Sequence, residues 1–325
     1  MNISDIVKTT NQEKFAEDLI KGLSSIPKYL PSQYLYDEKG DILFQKIMNL
    51  KEYYLTKAEI QILHNNTEDL LEYFIPFNKP FDLIELGAGD GYKTRILLNA
   101  LRRQNASFQY IPIDISENIL RLLTAELKKE YPDLILRPLC HDYFGAMAEL
   151  HKFEKKRKVI LFMGGNIGNF SFEESIHFFH ELGKCLTSGD LVLTGFDLKK
   201  DPRIIIKAYD DQEGITARFN LNLLERINRE FSGDFNLQNF RHYPYYDPVS
   251  GECKSFLIST INQSVRLKTL ELTISFKAWE SIQTEVSRKF SESELEELAR
   301  HTGFALIQNF YDHHKYFTDS LWMKK

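Results

Sequence analysis

The segment Glu85-Leu86-Gly87-Ala88-Gly89-Asp90-Gly91 gathers residues suited to holding a ligand. Glycines let the backbone approach a ligand closely and adopt positive φ. Two kinds of adenosine ligand compete for such a turn. A dinucleotide fingerprint has the spacing G-x-G-x-x-G and faces a pyrophosphate. Here the spacing is G-x-G-x-G, with Glu85 just ahead of the first glycine. A pyrophosphate has no use for that acid. S-adenosyl-L-methionine (SAM) does, because a cationic sulfonium and an ammonium flank its adenosine. Taken alone, the turn leaves SAM and other adenosine ligands open. Asp114 closes the run Tyr110–Asp114 and is placed to accept from both ribose hydroxyls. Asp142 can accept from the adenine amino group. Lys93 can meet a cofactor carboxylate, or be an ordinary solvated helix residue.

These residues need a scaffold. Phe81–Leu86 reads as a short apolar strand, and Lys93–Arg103 as an amphipathic helix with Leu97, Leu98 and Leu101 on one face. Strands are expected at Phe108–Ile113, Leu134–Pro138, Val159–Met163 and Asp190–Thr194. Helices are expected at Glu117–Lys129 and Phe172–Leu186. Alternation of this kind predicts an α/β fold with a parallel sheet and crossover helices. Such sheets bind ligands beyond the carboxyl ends of their strands, near the switch in strand order. The tail from Ser291 reads helix then strands and is expected to complete the sheet. The flanks read differently. Residues 1–60 carry Tyr- and Pro-containing loops. Helices are expected at Pro202–Ala208 and Ala217–Glu230, and strands at Ser255–Ile261 and Leu270–Ala278. Residues 1–61 and 198–288 are therefore expected to join as a cap over the sheet. Residues 62–197 and 289–325 form the ligand-binding domain.

Composition narrows the class. With 325 residues and 43% apolar content, two domains with sizeable cores are within reach. Lys+Arg number 41 against 46 Asp+Glu, a net −5, which gives no general attraction to nucleic acid or anionic membranes. The longest apolar stretch, Val159–Met163, is far short of the ~20 residues of a membrane span. The polar N-terminus has no export-signal core. Cys140, Cys185 and Cys253 are scattered and odd in number, as expected of reduced thiols in a cytoplasmic protein. Asp312-His313-His314 lacks a partner at metal-ligand spacing, so no metal is expected. The Cys140-His141-Asp142 run places neighbouring side chains on opposite sides of a strand end and does not read as a nucleophilic cluster. Lys155–Lys158 reads as a solvated loop.

Read singly, Tyr36, Tyr53 and Tyr209 are half-buried tyrosines, Asn169 a helix N-cap and Glu285 a solvated strand residue. Together they lie within a longer pattern. Tyr34-Leu-Tyr-Asp-Glu-Lys-Gly40, Glu52-Tyr-Tyr-Leu-Thr56, Glu85-Leu-Gly-Ala-Gly89 and Gly164-Gly-Asn-Ile-Gly-Asn169 occur in that order. Asp197-Leu-Lys-Lys-Asp-Pro202, Ala208-Tyr-Asp-Asp211 and Thr284-Glu-Val-Ser287 follow. In this combination the chain resembles the SAM-dependent L-histidine Nα-methyltransferases of the ergothioneine pathway.

The resemblance implies a Rossmann-like class I SAM methyltransferase sheet with a discontinuous substrate domain. It implies successive methylation of the α-amine of a free amino acid, with SAM as cofactor; the protein is expected to be a monomer acting on a small molecule. Glu85, Gly87, Gly89, Lys93, Asp114, Asp142 and Tyr143 match cofactor positions. Tyr36 matches a tyrosine beside the α-amine, and Asn169 and Tyr209 match residues that hold the amine or carboxylate. Tyr53, Glu285 and Ser287 match residues around the imidazole, and Gly164 a backbone position at the cofactor–substrate junction. Glu285 and Ser287, two apart on a strand, share a face. Two departures stand out: a pocket methionine of the family falls on Ser255, and Gly165-Asn166 replaces a Ser-Thr pair. Both bear on which side chain is accepted, tryptophan or another aromatic amino acid being the rival to histidine.

Overall fold

A computed structural model describes residues 3–75, 79–150 and 156–325. The chain divides into two compact units, residues 1–53 with 201–287 and residues 54–200 with 288–325. Elements are numbered along the chain.

The second unit is built on strands β2 (Phe81–Leu86), β3 (Phe108–Asp114), β4 (Ile135–Leu136), β5 (Leu139–Cys140), β6 (Arg157–Phe162), β7 (Leu191–Asp197), β13 (Phe304–Tyr311) and β14 (Phe317–Lys324). Their order is β13-β14-β7-β6-β2-β3-β4, with β5 also pairing β3. The strands from β7 to β4 run parallel, and β14 runs antiparallel to both β7 and β13. The tail therefore does complete the sheet. Helices α3 (Tyr54–Phe74), α4 (Thr94–Arg103), α5 (Glu117–Glu130), α6 (Tyr143–Leu150), α7 (Phe172–Lys184) and α10 (Glu292–His301) accompany it. This is the doubly wound, Rossmann-like arrangement of class I SAM methyltransferases. All six residues of β2 are buried, as a central parallel strand requires. Beside it, Phe162 stacks on Phe178 at 4.7 Å, and Phe179 lies 4.6 Å from Trp322. The chain leaves β2 for β3 on one side and returns to β6 on the other, so the switch in strand order lies at the end of β2.

Three expectations change. The strand over Leu134–Pro138 is two short pieces, because Pro138 has no N–H to give a ladder. Lys155 lies outside the described residues, but Arg157 and Lys158 open β6 instead of a loop. Arg157 donates to the carbonyls of Phe74 (2.6 Å) and Tyr73 (2.7 Å), groups that the end of α3 leaves without helical partners. The unit boundary falls at Tyr53/Tyr54, not after residue 61, because α3 starts at Tyr54 and buries Leu55, Glu59, Ile62 and Leu63. Residues 198–200 also stay with the sheet, since Leu198 bridges Phe290.

The first unit holds α1 (Ile3–Ser24), β1 (Lys28–Tyr29), α2 (Glu38–Asn49), α8 (Pro202–Tyr209) and α9 (Ile215–Phe231). Its four-stranded sheet has the order β1-β12-β9-β8, from β8 (Phe240–Tyr246), β9 (Glu252–Ser259) and β12 (Ser281–Arg288). A hairpin of β10 (Gln263–Leu267) and β11 (Leu272–Phe276) accompanies it. Strand β9 alternates in burial along its whole length, with Cys253, Ser255, Leu257 and Ser259 inward. Asp37 caps α2 through the Gly40 amide at 2.8 Å, and Asn222 of α9 donates to the same oxygen at 2.7 Å.

One buried ion cluster closes β7 of the sheet unit. Asp197 accepts from Tyr54 Oη at 2.9 Å and Lys289 Nζ at 2.8 Å, and pairs with Lys200. Burial alone would raise the Asp197 carboxyl, but Lys200 and Lys289 hold it below the usual carboxylate range. Its contribution to stability is therefore present above the ordinary unfolded value of ~3.9 and is lost as pH falls through the lower folded value. Asp197→Ala strands two buried ammonium groups, so urea denaturation should show a loss of about 3–5 kcal/mol.

Candidate active site

In the sheet unit the glycine turn follows β2. Gly87 and Gly89 have φ of +75° and +55°. A Cβ on Gly87 would come within 2.8 Å of Asn166 Nδ2 and 3.2 Å of the Tyr143 hydroxyl, so at this positive φ any larger residue would be strained and would displace Asn166. A Cβ on Gly89 would meet nothing within 4 Å, so the turn faces open space at that point. Asp114, at the end of β3, anchors the turn: Oδ2 accepts from the Gly89 amide at 2.9 Å, and Oδ1 from the Ser116 amide at 2.9 Å. Burial raises its pKa against these two bonds. Each carboxylate oxygen can accept more than one hydrogen bond, so Asp114 can still receive ligand hydroxyls. Open space at a positive-φ glycine beside an anchored acid fits a nucleoside with a diol.

The other sheet-unit candidates are distributed around this turn. Asp142 Oδ1 accepts from the Gly145 amide at 2.7 Å and so starts α6. Tyr143 opens that helix, with its ring 5.1 Å from Phe162 and 6.1 Å from Phe170, and burial raises its phenol. Glu85 does not offer a carboxylate to a cation in the way its position promises. It is buried, accepts from Thr94 Oγ1 at 2.6 Å, and accepts from the Tyr110 hydroxyl. Burial pushes it up to about 7, with those two hydroxyls pulling the other way. Glu85 thus ties β2 to β3 and to the start of α4.

Lys93 is an ion-pair partner of Glu59 on α3, not a solvated helix residue. Glu59 Oε1 also accepts from the Gly164 amide at 2.6 Å. Gly164 follows β6, and its φ of +81° turns the chain into a 3₁₀ turn over Asn166–Asn169. Asn166 fills the space between Gly87 and Gly164. Asn169 is exposed at the end of that turn and is not the cap of α7. Ser171 is that cap: its Oγ accepts from the Glu174 amide at 3.2 Å, and Glu174 accepts back from the Ser171 amide at 2.8 Å. The reciprocal S-x-x-E box satisfies two amides at once, where Asn169 would satisfy one.

In the first unit the polar candidates meet in pairs. Ser255 Oγ donates to Glu285 Oε2 at 3.1 Å, and the Tyr209 hydroxyl donates to Ser287 Oγ at 2.7 Å. Ser255, Ser287 and Tyr209 are buried, and Glu285 is half-buried. Thr284, on the other side of β12, donates to Asn220 of α9 at 2.6 Å and fixes the strand. Tyr36 packs edge-on against Phe44 (5.3 Å) and Phe219 (5.4 Å), and Tyr53 lies 6.3 Å from Phe44. Glu59 is the residue that motif reading misses, and Asn166, noted only as a departure, proves to lie between the two glycine turns. Glu59 had a signal: Leu55, Glu59, Ile62 and Leu63 share one helical face, so an acid sits where an apolar residue belongs.

Among the described residues, no group of three or more His, Cys, Asp or Glu side chains is placed to hold a metal ion, and no helix is long and apolar enough to cross a membrane. Asp312 serves its own turn, accepting from the amides of His314 (2.8 Å), Tyr316 (2.6 Å) and Phe317 (2.7 Å).

Comparison with known proteins agrees with this architecture. The chain is 36% identical to a histidine N-alpha-methyltransferase of Mycolicibacterium smegmatis, over 88% of each chain. It is 34% identical to the protein of the same name from Mycobacterium tuberculosis, over 84% of this chain and 83% of that one. An L-tryptophan methyltransferase of Psilocybe serbica is 27% identical over 90% of this chain and 87% of its own length. Residues 15–324 match the family described as histidine-specific, SAM-dependent methyltransferases. With a sheet of the required strand order and an anchored glycine turn at its switch point, the chain belongs to that family.

Proposed function

We propose that this protein transfers methyl groups from SAM to the α-amine of free L-histidine, three times in succession, giving the trimethylammonium betaine. The observation that supports this most is the 36% identity, over 88% of both chains, to an enzyme named histidine N-alpha-methyltransferase.

SAM supplies an electrophilic methyl on a sulfonium that leaves readily. The protein's task is to present a neutral amine in line with that methyl, at roughly 3 Å. In this reading Gly87, Gly89, Asp114, Asp142 and Tyr143 hold the adenosine, while Lys93 and Gly164 stand at the amino-acid end of the cofactor. Glu85 acts by positioning the turn. Asn169 has both donors and an acceptor, so one side chain can bond amine and carboxylate. Tyr209 holds the carboxylate end. The incoming ammonium must lose a proton, and desolvation beside a sulfonium lowers its pKa. Tyr36 relays that proton through water. Tyrosine faces, unlike carboxylates, also suit a nitrogen that has lost its N–H groups to methylation.

The side-chain choice follows from the pairs in the first unit. Glu285 accepts an N–H, and Ser287, once the Tyr209 hydroxyl turns its proton from Ser287 Oγ to the carboxylate, presents its own O–H to a ring nitrogen. A neutral imidazole has one donor and one acceptor nitrogen. An indole has a donor only, so it leaves the Ser287 hydroxyl without an acceptor. Tyr53 closes the ring's surroundings. Ser255, small where the family has methionine, favours the tryptophan reading by volume, and the Psilocybe serbica relative shows that such an activity exists among similar chains.

Mass spectrometry of reactions with each free amino acid tests the reading. Gains of one, two and three methyls on histidine are expected, and faster turnover of tryptophan would overturn the substrate. Asp114→Ala should weaken SAM binding by about ten-fold or more in titration calorimetry, because a charged hydrogen-bond partner is removed. Glu285→Ala should raise the histidine KM by about ten-fold or more and narrow its lead over other amino acids, while the KM for SAM stays near that of the unmodified enzyme.

A further inference from the structure

Behind the two glycine turns lies a buried acid pair that the reaction as described does not use. Glu59 and Asp319 are both fully buried. Glu59 spends one oxygen on the Gly164 amide and the other on Lys93. Asp319 sits on β14 directly opposite Gly195 of β7. A Cβ on Gly195 would overlap Glu59 Oε1, so the missing side chain is what admits Glu59 to this place. Neither oxygen of Asp319 has a hydrogen-bond donor. Two ionised carboxylates beside one lysine would leave a net buried negative charge, which is costly in a dry interior.

We propose that Asp319 is a protonated carboxylic acid whose O–H donates to Glu59, and that Glu59 so held is a positioning residue that sets Lys93 and the Gly164 amide for cofactor binding. One proton shared by two acids leaves one negative charge against one lysine, and the set is neutral. The O–H also turns one of the two unpaired Asp319 oxygens into a hydrogen-bond donor to Glu59, so that Glu59 is held from the strand as well as from its helix. Burial and the adjacent Glu59 carboxylate both push the Asp319 carboxyl well above the ordinary carboxylate range, with Lys93 opposing. Glu85, on β2 beyond β7 and β6 in the sheet, also interacts with Glu59 and Lys93; burial pushes it up to about 7, and the charge it keeps favours the shared proton further. Lys93 is itself held charged by Glu59 against the cost of its burial. The inference rests on the methyltransferase reading for its consequence, but not for the proton.

Difference infrared spectroscopy of the full chain tests the proton without any cofactor. A protonated-carboxyl C=O band at neutral pH is expected to be stronger in the unmodified protein than in Asp319→Asn, where only the part owed to Glu85 remains; equal spectra would overturn the proposal. S-adenosylhomocysteine titration tests the positioning. Glu59→Gln, which removes the charge facing Lys93, should weaken binding by about ten-fold and raise the KM for SAM while leaving that for histidine nearly unchanged. Unchanged affinity, or an equal rise in both KM values, would overturn it. Asp319→Asn keeps an N–H donor toward Glu59 and should retain several-fold more affinity than Asp319→Ala; equal losses would also count against the donated proton. If the unmodified chain binds no S-adenosylhomocysteine, the methyltransferase reading fails, and the infrared band still decides the acid pair.

Discussion

Carboxylates gathered at the carboxyl ends of the parallel strands, from strand ends, a loop and helix α3, are what the ligand-facing geometry depends on. A glycine turn with positive φ exposes backbone amides and has no side chains of its own to brace it. Asp114 braces the turn after β2, Glu59 the turn after β6, and Asp142 the start of α6. Each acid is costly to bury alone, and each is offset by bonds from amides, hydroxyls or a lysine. The turns are thereby held to one geometry before any ligand arrives, which is the condition for precise placement of a reacting group.

The two units use different chemistry. In the sheet unit, acids and lysines are matched in buried clusters: Asp197 with Lys200 and Lys289, and Glu59 with Lys93. In the first unit, the candidate substrate residues are hydroxyls and one acid, Ser255 with Glu285 and Tyr209 with Ser287, with aromatic rings nearby. A pocket of this second type suits a neutral ring with one donor and one acceptor, because hydroxyls can orient either way while lysines cannot.

Legibility in the sequence followed the strength of local patterns. Strand β2 and helices α4 and α5 fell within a residue of expectation, since each has one apolar face or run and clear ends. Strand β8, with its Arg-His-Tyr-Pro stretch and alternating exposed residues, carried no such signal, and neither did helices α1 and α2. The resemblance named the candidate residues, but not their partners. Glu85 looked like a cation ligand and is a strut; Asn169 looked like a cap, and Ser171 does that work.

By itself the sequence determined the alternating strands and helices from β2 to β7, the glycine turn, the family, and the candidate residues, because these are properties of short windows and fixed spacings. Only the tertiary structure decided which charge meets which. Glu59 reaches Lys93 across 34 positions and the Gly164 amide across 105, and Tyr209 reaches Ser287 across 78. Periodicity tells which face a side chain takes; which partner waits there depends on how elements far apart in the chain pack, and the cost of burying unpaired charge selects among those packings.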